Sequence, residues 1–438
     1  MNQLNLLMRR ARSLLSRRRA AALGARERQP WEAHQAALLR ATLSVARARL
    51  ARYADMPPLP AGTEARDWLR AHYPVISKSD LLRQRGAFYP NGGVRRPWWP
   101  SGKTSGTSGT PLEVFRSLDS VVWEEAFHLQ AWRWAGFMAG QPQAVLRGDP
   151  VLGLDRSEPP FWHWDGLGRQ LFLSTRHLSM KHAEAMLDAL ARIRPAMLRA
   201  YPSACAELAR LAEGAGHALR LPAVVTGSEP LYPMQRERIE RAFACKVFDF
   251  YGMAERVAYA AQCEHGHYHL HPEYSFVEIL DAQGRATNEF GDVVGTTLHN
   301  HVMPLVRYRI ADRACWVGGA CPCGCSYPRV ELASGKLEDQ LYDRDGTAVS
   351  ASIITFAFKG LAHIRKSQVA QLGPGRWEVR VVPEAGYSTP DGLRLLRNLD
   401  TDVSNKLDVT LRLVEDIASE PSGKFKWVVQ EWPGAKPD

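Results

Sequence analysis

Residues 103–114 read "KTSGTSGTPLEV". From Thr104 to Pro111 no side chain is larger than threonine, in a chain otherwise rich in Trp and Arg. Such a run is either a flexible linker, because Gly and Ser are what linkers use, or a loop whose backbone N–H groups and hydroxyls can close around an anion. Its flanks favour the loop: the Trp-containing "WWPSGK" precedes it, and a strand, "LEVFR", follows. It is not the G-x-x-x-x-G-K-[ST] phosphate loop, since the lysine comes first and no helix begins inside it.

Beyond the strand, "SLDSVVWEEAFHLQAWRWAGF" reads as a helix capped by Asp119 or Ser120, with Val122, Trp123, Ala126, Phe127 and Leu129 on its apolar face. Strands then alternate with helices. "QAVLRG", "PAVVTGSEP" and "KVFDFYG" read as strands, and "SMKHAEAMLDALARIRPAML", "SACAELARLAEGAG" and "YPMQRERIERAFAC" as helices. This alternation predicts an α/β architecture with sites at strand carboxyl ends. From Tyr274 the runs "FVEIL", "DVVGTTLH" and "PLVRYRIAD" predict a β-rich subdomain. The tail "RKSQVAQL", "RWEVRVVPE", "DGLRLLRNLDTDVSNKL" and "DVTLRLVED" predicts a small α+β domain. At 438 residues the chain exceeds what one core usually holds. Three parts are expected: an Arg-rich helical segment at 1–55, a large α/β part at 56–337, and a small, mobile α+β part at 338–438.

The net charge of +10 is concentrated rather than spread. Residues 1–55 carry twelve arginines against Glu27, Glu32 and Asp55, hence +9, which leaves +1 for the remaining 383 residues. A nearly neutral body argues against nucleic acid as a partner, because phosphate neutralisation needs a basic face on the fold itself. The first helix, "MNQLNLLMRRARSLLSRRRAAALG", either packs its leucines on the body or lies on an anionic membrane surface. It lacks the charge-free core of a signal peptide, and no apolar run is long enough to span a bilayer. A cytoplasmic protein, peripheral at the inner membrane surface if the second reading holds, is expected. Oligomeric state is not legible. Seven cysteines, an odd number with a tight cluster, favour a metal or free thiols over a disulfide framework.

Five later motifs follow the small-residue loop in order: "TGSEP" (226–230), "YGMAE" (251–255), "YRIAD" (308–312), "SGKLED" (334–339) and "PSGKFK" (421–426). Together they resemble the core motifs of the adenylate-forming superfamily, the acyl-coenzyme A synthetases and their relatives. Within it the chain is most similar to the phenylacetate-coenzyme A ligase and CapK-like branch, which carries "YPS" (here 201–203) and a cysteine pair after "YR…D". The resemblance covers residues 60–432. It implies a large adenylating domain, a small mobile domain carrying a catalytic lysine, and ATP, Mg²⁺ and coenzyme A as cofactor or co-substrates.

Residue by residue, the resemblance implies that Thr104, Ser105, Gly106, Thr107, Ser108, Gly109 and Thr110 wrap the ATP phosphates. Glu255 would hold Mg²⁺, for which a hard carboxylate oxygen is suited; read alone it is a surface acid after a turn. Gly227, Ser228, Glu229 and Pro230 would line the adenine pocket beside Tyr251 and Gly252. Asp312 would accept from the ribose hydroxyls; otherwise it is a strand-end aspartate paired with Arg309. Lys424 matches the lysine that swings to the carboxylate and α-phosphate, and Asp339 the hinge acid. Lys336 stands where the family has arginine, which loses the planar fork.

"CEHGHYHLH" (263–271) and "CPCGC" (321–325) supply thiolates and imidazoles suited to tetrahedral zinc, or else reduced thiols and solvent-facing histidines. Cys263 and His269 cannot share an ion along a straight strand of roughly 20 Å, so Gly266 must mark a turn. The resemblance selects Cys263, His269, Cys321 and Cys323 as a structural zinc set, with His265 as substitute and Cys325 spare. Tyr201, Phe127, His128 and the Trp-rich "FWHWDG" (161–166) are candidates for an acyl pocket. The reaction implied is activation of a small carboxylic acid to an acyl-adenylate and transfer to a thiol, coenzyme A first. A carrier-protein thiol or an amine in polysaccharide or secondary-metabolite biosynthesis is the alternative acceptor. A zinc-stapled, membrane-peripheral binding protein that has lost catalysis is the non-enzymatic alternative.

Overall fold

A computed structural model describes residues 3–103, 112–147, 151–152, 156–333, 341–344, 348–349, 361, 363–403, 407–419 and 425–432. The small-residue loop, Lys336, Asp339 and Lys424 lie outside these residues. The ends of the loop do not. β1 (Ser101–Lys103) and β2 (Glu113–Phe115) pair antiparallel with Lys103 opposite Glu113, so the two ends are held side by side.

The helices before and after this hairpin are α1 (Gln3–Arg26), α2 (Glu32–Arg49), α3 (Ala51–Ala54), α4 (Ala65–His72), α5 (Lys78–Arg83), α6 (Arg85–Phe88) and α7 (Leu118–Trp134). The cap of α7 is Ser117, whose hydroxyl accepts the Ser120 N–H at 3.0 Å, two residues earlier than the expected Asp119. Asp119 sits in the first turn, where a carboxylate complements the helix dipole, and pairs with Arg19.

The strands of the large sheet are β3 (Gln143–Arg147), β4 (Trp162–Asp165), β5 (Gln170–Ser174), β6 (Met197–Ala200), β7 (Ala223–Gly227), β8 (Lys246–Gly252), β9 (Tyr259–Gln262), β10 (Tyr268–Leu270), β11 (Ser275–Leu280), β12 (Gly291–Thr297), β13 (Tyr308–Val317) and β14 (Arg329–Leu332). Their spatial order is β11-β12-β13-β14-β10-β9-β8-β7-β6-β3-β5-β4. β5, β3, β6, β7 and β8 run parallel, and the other neighbours run antiparallel. The region after Tyr274 is therefore no separate β subdomain. Its strands continue the α/β sheet through β14 and β10.

Parallel strands are covered on both faces and need continuous apolar runs. In β7 every residue of "AVVTG" is buried. α8 (Met180–Ile193), α9 (Pro202–Gly214) and α10 (Pro233–Phe243) cover one face with Met186, Leu187, Leu190, Leu208, Ile239 and Phe243. α7 covers the other with Phe127 and Trp132. The helix expected to run through "RPAML" stops at Ile193: Arg194 turns left-handed (φ 50°) before Pro195, and Met197–Ala200 becomes β6. The residue before a proline is disfavoured in the α region, and proline lacks the N–H a helix needs.

A separate four-stranded sheet closes the chain, ordered β19-β18-β17-β20. It comprises β17 (Ile364–Gly373), β18 (Arg376–Pro383), β19 (Asp408–Leu413) and β20 (Val428–Gln430), beyond the short pair β15 (Leu341–Tyr342) and β16 (Ala348–Val349). The helix Thr389–Val403 packs Leu395 and Leu399 on Trp377 and Val379. The mixed α/β class with a C-terminal α+β unit is the one expected from the sequence.

Candidate functional site

The carboxyl ends of β3, β6, β7 and β8 lie side by side, where open α/β sheets place their ligands. Gly227 ends β7 against the Phe250 ring: a Cβ there would stand 2.5 Å from Phe250 Cε1, so no larger residue fits. Ser228 follows in a left-handed conformation (φ 71°), and its hydroxyl accepts from Arg147 Nη2 at 2.6 Å. Glu229 is held at both oxygens. Oε2 accepts the Ser203 N–H at 3.2 Å and Oε1 the Phe425 N–H at 2.8 Å. The residue next to Lys424 is thus bonded to the "TGSEP" motif.

Tyr251 ends β8 and donates its hydroxyl to Asp312 Oδ2 on β13 at 2.8 Å. Burial, joined by the Asp312 carboxylate, pushes the Tyr251 hydroxyl well above the ordinary tyrosine pKa, so it stays a donor. The alternative pairing of Asp312 is not formed: Arg309 reaches Asp292 instead, at 3.5 Å. Glu255 Oε1 accepts from Tyr308 Oη at 3.3 Å. Arg116, just past the hairpin base, donates to the Ala254 carbonyl; burial first, then neighbouring Arg256, lowers its pKa to about 10. The ends of the small-residue loop, Glu255 and Asp312 therefore converge beside the Gly252 end of β8.

The acyl-pocket candidates divide. Tyr201 sits at the end of β6 beneath the Arg147 guanidinium, 5.0 Å from its ring centre. Phe127 is 1% exposed and packs edge-on to Tyr274 in the core. His128 is tied into a buried network, with Nδ1 3.1 Å from Tyr259 Oη and Nε2 3.6 Å from Glu124. Burial alone would raise Glu124, but Arg256, His128 and Tyr274 draw it down to about 2. "FWHWDG" forms the sheet's outermost strand, β4, away from these ends. Sequence reading missed Arg147, although an arginine closing the apolar strand "QAVLR" was the available signal. Arg116, Glu124 and Arg256 were missed as well, and no motif marked them.

At the other end of β8 stands the cysteine cluster. Ligand atoms of Cys263, His269, Cys321 and Cys323 all lie within 4.8 Å of one another. Cys263 Sγ and Cys321 Sγ are 3.8 Å apart, and Cys323 Sγ and His269 Nε2 are 3.4 Å apart. A zinc tetrahedron with Zn–S of about 2.3 Å and Zn–N of about 2.0 Å has edges of about 3.8 and 3.5 Å, so the donor set fits that ion. His269 Nδ1 lies 3.1 Å from the Tyr327 carbonyl, which fixes the proton there and leaves Nε2 as ligand. Gly266 turns the chain (φ 77°) and the Gly266 N–H reaches the Cys263 carbonyl, as the distance argument required.

His265 stays outside the cluster, half-exposed beside Glu264. His267 approaches closer, with Nδ1 3.2 Å from Cys321 Sγ. Burial would raise the Cys321 thiol, yet the His267 contact and the Cys323 backbone lower it to about 6. Cys325 donates its N–H to Cys323 Sγ at 3.5 Å, while burial pushes its own thiol up to about 12. No disulfide joins any of the seven cysteines. The α1–α2 turn closes over the site, with Ser326 bonded to the Glu27 and Gln29 carbonyls.

The fold of this chain is similar to that of solved CoA ligases. The crystal structure of 2-hydroxyisobutyryl-CoA ligase in the postadenylation state superposes on 93% of this chain and 91% of its own, at a TM-score of 0.72 and 19% identity. Residues 341–431 match the CapK C-terminal domain. The phenylacetate-coenzyme A ligase of Escherichia coli (strain K12) is 27% identical over 259 residues, 55% of this chain and 56% of that protein. Protein CapK of Staphylococcus aureus is 21% identical over 211 residues, 48% of this chain and 46% of that protein. The chain spans about half the length of the curated relatives it matches. The likeness read from the motifs, to the adenylate-forming superfamily and its phenylacetate-coenzyme A ligase and CapK-like branch, holds.

Proposed function

We propose that this chain activates a small carboxylic acid with ATP and passes the acyl group to a thiol, coenzyme A first. In the first step a carboxylate oxygen attacks the α-phosphorus, the bond to the β-phosphate breaks, and pyrophosphate leaves. In the second the thiol sulfur attacks the acyl carbon, its proton is lost and AMP leaves. The observation that carries the reading is the convergence of two stretches, "YGMAE" with Tyr251 and Glu255 and "YRIAD" with Tyr308 and Asp312, beside the "TGSEP" turn and the ends of the small-residue loop.

Asp312 would orient the ribose, and Gly227 and Ser228 the adenine face. Glu255 would offer Mg²⁺ a hard oxygen ligand, and the ion when bound would neutralise phosphate charge. Glu229 would hold the segment bearing Lys424 against the motif, and Lys424 would supply the cation at the carboxylate and α-phosphoryl oxygens. Thr104 to Thr110 would grip the phosphates, with Lys336 and Asp339 at the hinge. Cys263, His269, Cys321 and Cys323 would hold one zinc as a structural ion, because four protein ligands leave no open position. The division into parts at 1–55, 56–337 and 338–438 is proposed with it.

Pyrophosphate exchange into ATP across a panel of carboxylic acids tests the first step, and thioester formation with coenzyme A the second. Exchange that depends on one acid class and is lost in Lys424→Ala supports the reading. No exchange with any acid sinks it. Exchange without thioester formation moves the acceptor to a carrier-protein thiol or an amine.

A further inference from the structure

α1 is built inside out. A surface helix ordinarily buries its apolar stripe and shows its charges; here four of the seven arginines are tied to carboxylates of the body. Arg9 pairs with Asp165 at 2.6 Å, Arg12 with Glu125 at 3.3 Å, Arg19 with Asp119 at 2.5 Å, and Arg26 with the buried Glu273 at 2.6 Å. Arg19 also lies over the Trp123 ring at 4.3 Å. The side chains that reach the core between them are small or few: Ser16, Ala20 and Leu23. Of the residues that the sequence suggests would pack inward, Met8, Leu14 and Leu15 point out instead, 55%, 61% and 42% exposed.

Residues advance about 100° each around a helix, so Met8, Ala11, Leu14, Leu15, Ala22 and Ala25 form one outward stripe opposite Ser16 and Ala20, and all are exposed. Arg10, Arg17 and Arg18 lie on and beside the stripe, exposed, and no ion pair engages them among the described residues. The neighbouring surface continues in kind. Trp164, 39% exposed, is adjacent to the Asp165 that Arg9 holds. Met138, 68% exposed, lies in the turn containing Gly140, against which the Arg17 guanidinium rests.

The geometry points to α1 as a docking face for an anionic lipid surface: the protein's own carboxylates fix the helix from beneath, and the outward leucines enter the headgroup layer. Charge decides between a membrane and a second copy of this chain. Arg10, Arg17 and Arg18 leave the outward face positive, so two such faces brought together would repel, whereas anionic headgroups attract the arginines. The inference is independent of the proposed reaction.

Sedimentation of the full chain with phosphatidylcholine vesicles, with and without about one third phosphatidylglycerol, tests it. Binding is expected only to the anionic vesicles, and it should weaken as salt rises. Leu14→Glu with Leu15→Glu should weaken binding about tenfold or more by removing apolar contact. Arg17→Gln with Arg18→Gln should do so by removing charge while leaving every body-facing pair in place. Circular dichroism and the melting temperature identify a variant that fails to fold, and the glutamine pair then decides. Wild-type protein that stays in the supernatant with both vesicle types overturns the inference. So does a glutamine pair that binds as well as wild type, or a dimer, seen by light scattering, that the glutamate pair dissolves.

Discussion

β8 runs from one kind of chemistry to another. At its Lys246 end, three thiols and an imidazole face one another, the imidazole's second nitrogen is satisfied by a carbonyl, and the α1–α2 turn closes over them. At its Gly252 end, about 20 Å away along the strand, carboxylates from β13 and the "YGMAE" turn each meet a tyrosine hydroxyl from another strand. One end is completed by the chain itself. The other is assembled from loops and distant strands at the place where a ligand would complete it. Changes at the first end should therefore show up in stability, and changes at the second in turnover at nearly unchanged stability.

The largest effect is expected at the closed end. Cys321→Ser should release the metal and lower stability on the order of 5 kcal/mol, read by elemental analysis of the purified chain and by denaturant melts. An unchanged midpoint with one zinc retained would break the comparison. Nearly as large is Arg307→Met. Arg307 is buried and grips Glu278 in a two-pronged pair at 3.0 and 3.2 Å while donating to the Tyr73 carbonyl at 2.8 Å. Glu278 would keep only Arg70, at 3.4 Å, so the loss should cost about 3 kcal/mol, with no effect on metal content.

At the open end, Glu255→Gln and Asp312→Asn should each cut pyrophosphate exchange about 100-fold with the melting temperature shifted by no more than about 2 °C. Midway along β8, Asp249 links the ends. It is buried between Thr226 and Tyr268, and burial raises its carboxyl to about 6. The folded state therefore binds a proton that the unfolded chain has already lost above about pH 4. Stability should fall by up to about 2–3 kcal/mol as pH rises from 4 to 6 and level off above that. Asp249→Asn should flatten this part of the pH–stability curve, and a slope that survives would assign it to other groups. The smallest effect is Arg147→Met, which should change the preference among acids in the exchange assay by about tenfold while leaving the KM for ATP within about twofold.

Much of this was legible in the sequence, and for identifiable reasons. The parallel strands announced themselves because strands covered on both faces must be uninterrupted apolar runs, as in "AVVTG". The Cys/His cluster was legible in two parts: the distance argument required the turn at Gly266, and the resemblance supplied the choice of Cys263, His269, Cys321 and Cys323. What stayed hidden was pairing at a distance. Nothing local says that β14 joins β10, which fuses the apparent β subdomain into the main sheet. Nothing in "LLMRRARSLLSRRR" says that its arginines have three carboxylates waiting, drawn from β4 and α7. The helix end at Ile193 lay within reach, since Pro195 already argued against continuing. Arg147, Glu124 and Arg256 belong to no motif, and only the fold brings them to the site.

Glu229 gives the "TGSEP" turn a second duty. Its two oxygens tie the start of α9 to the backbone of Phe425, one residue beyond Lys424. Any movement that carries that lysine away must first surrender a hydrogen bond made by the very motif that would cradle the nucleotide base. If the turn holds the base as proposed, the same carboxylate would act as a latch between that turn and the C-terminal segment.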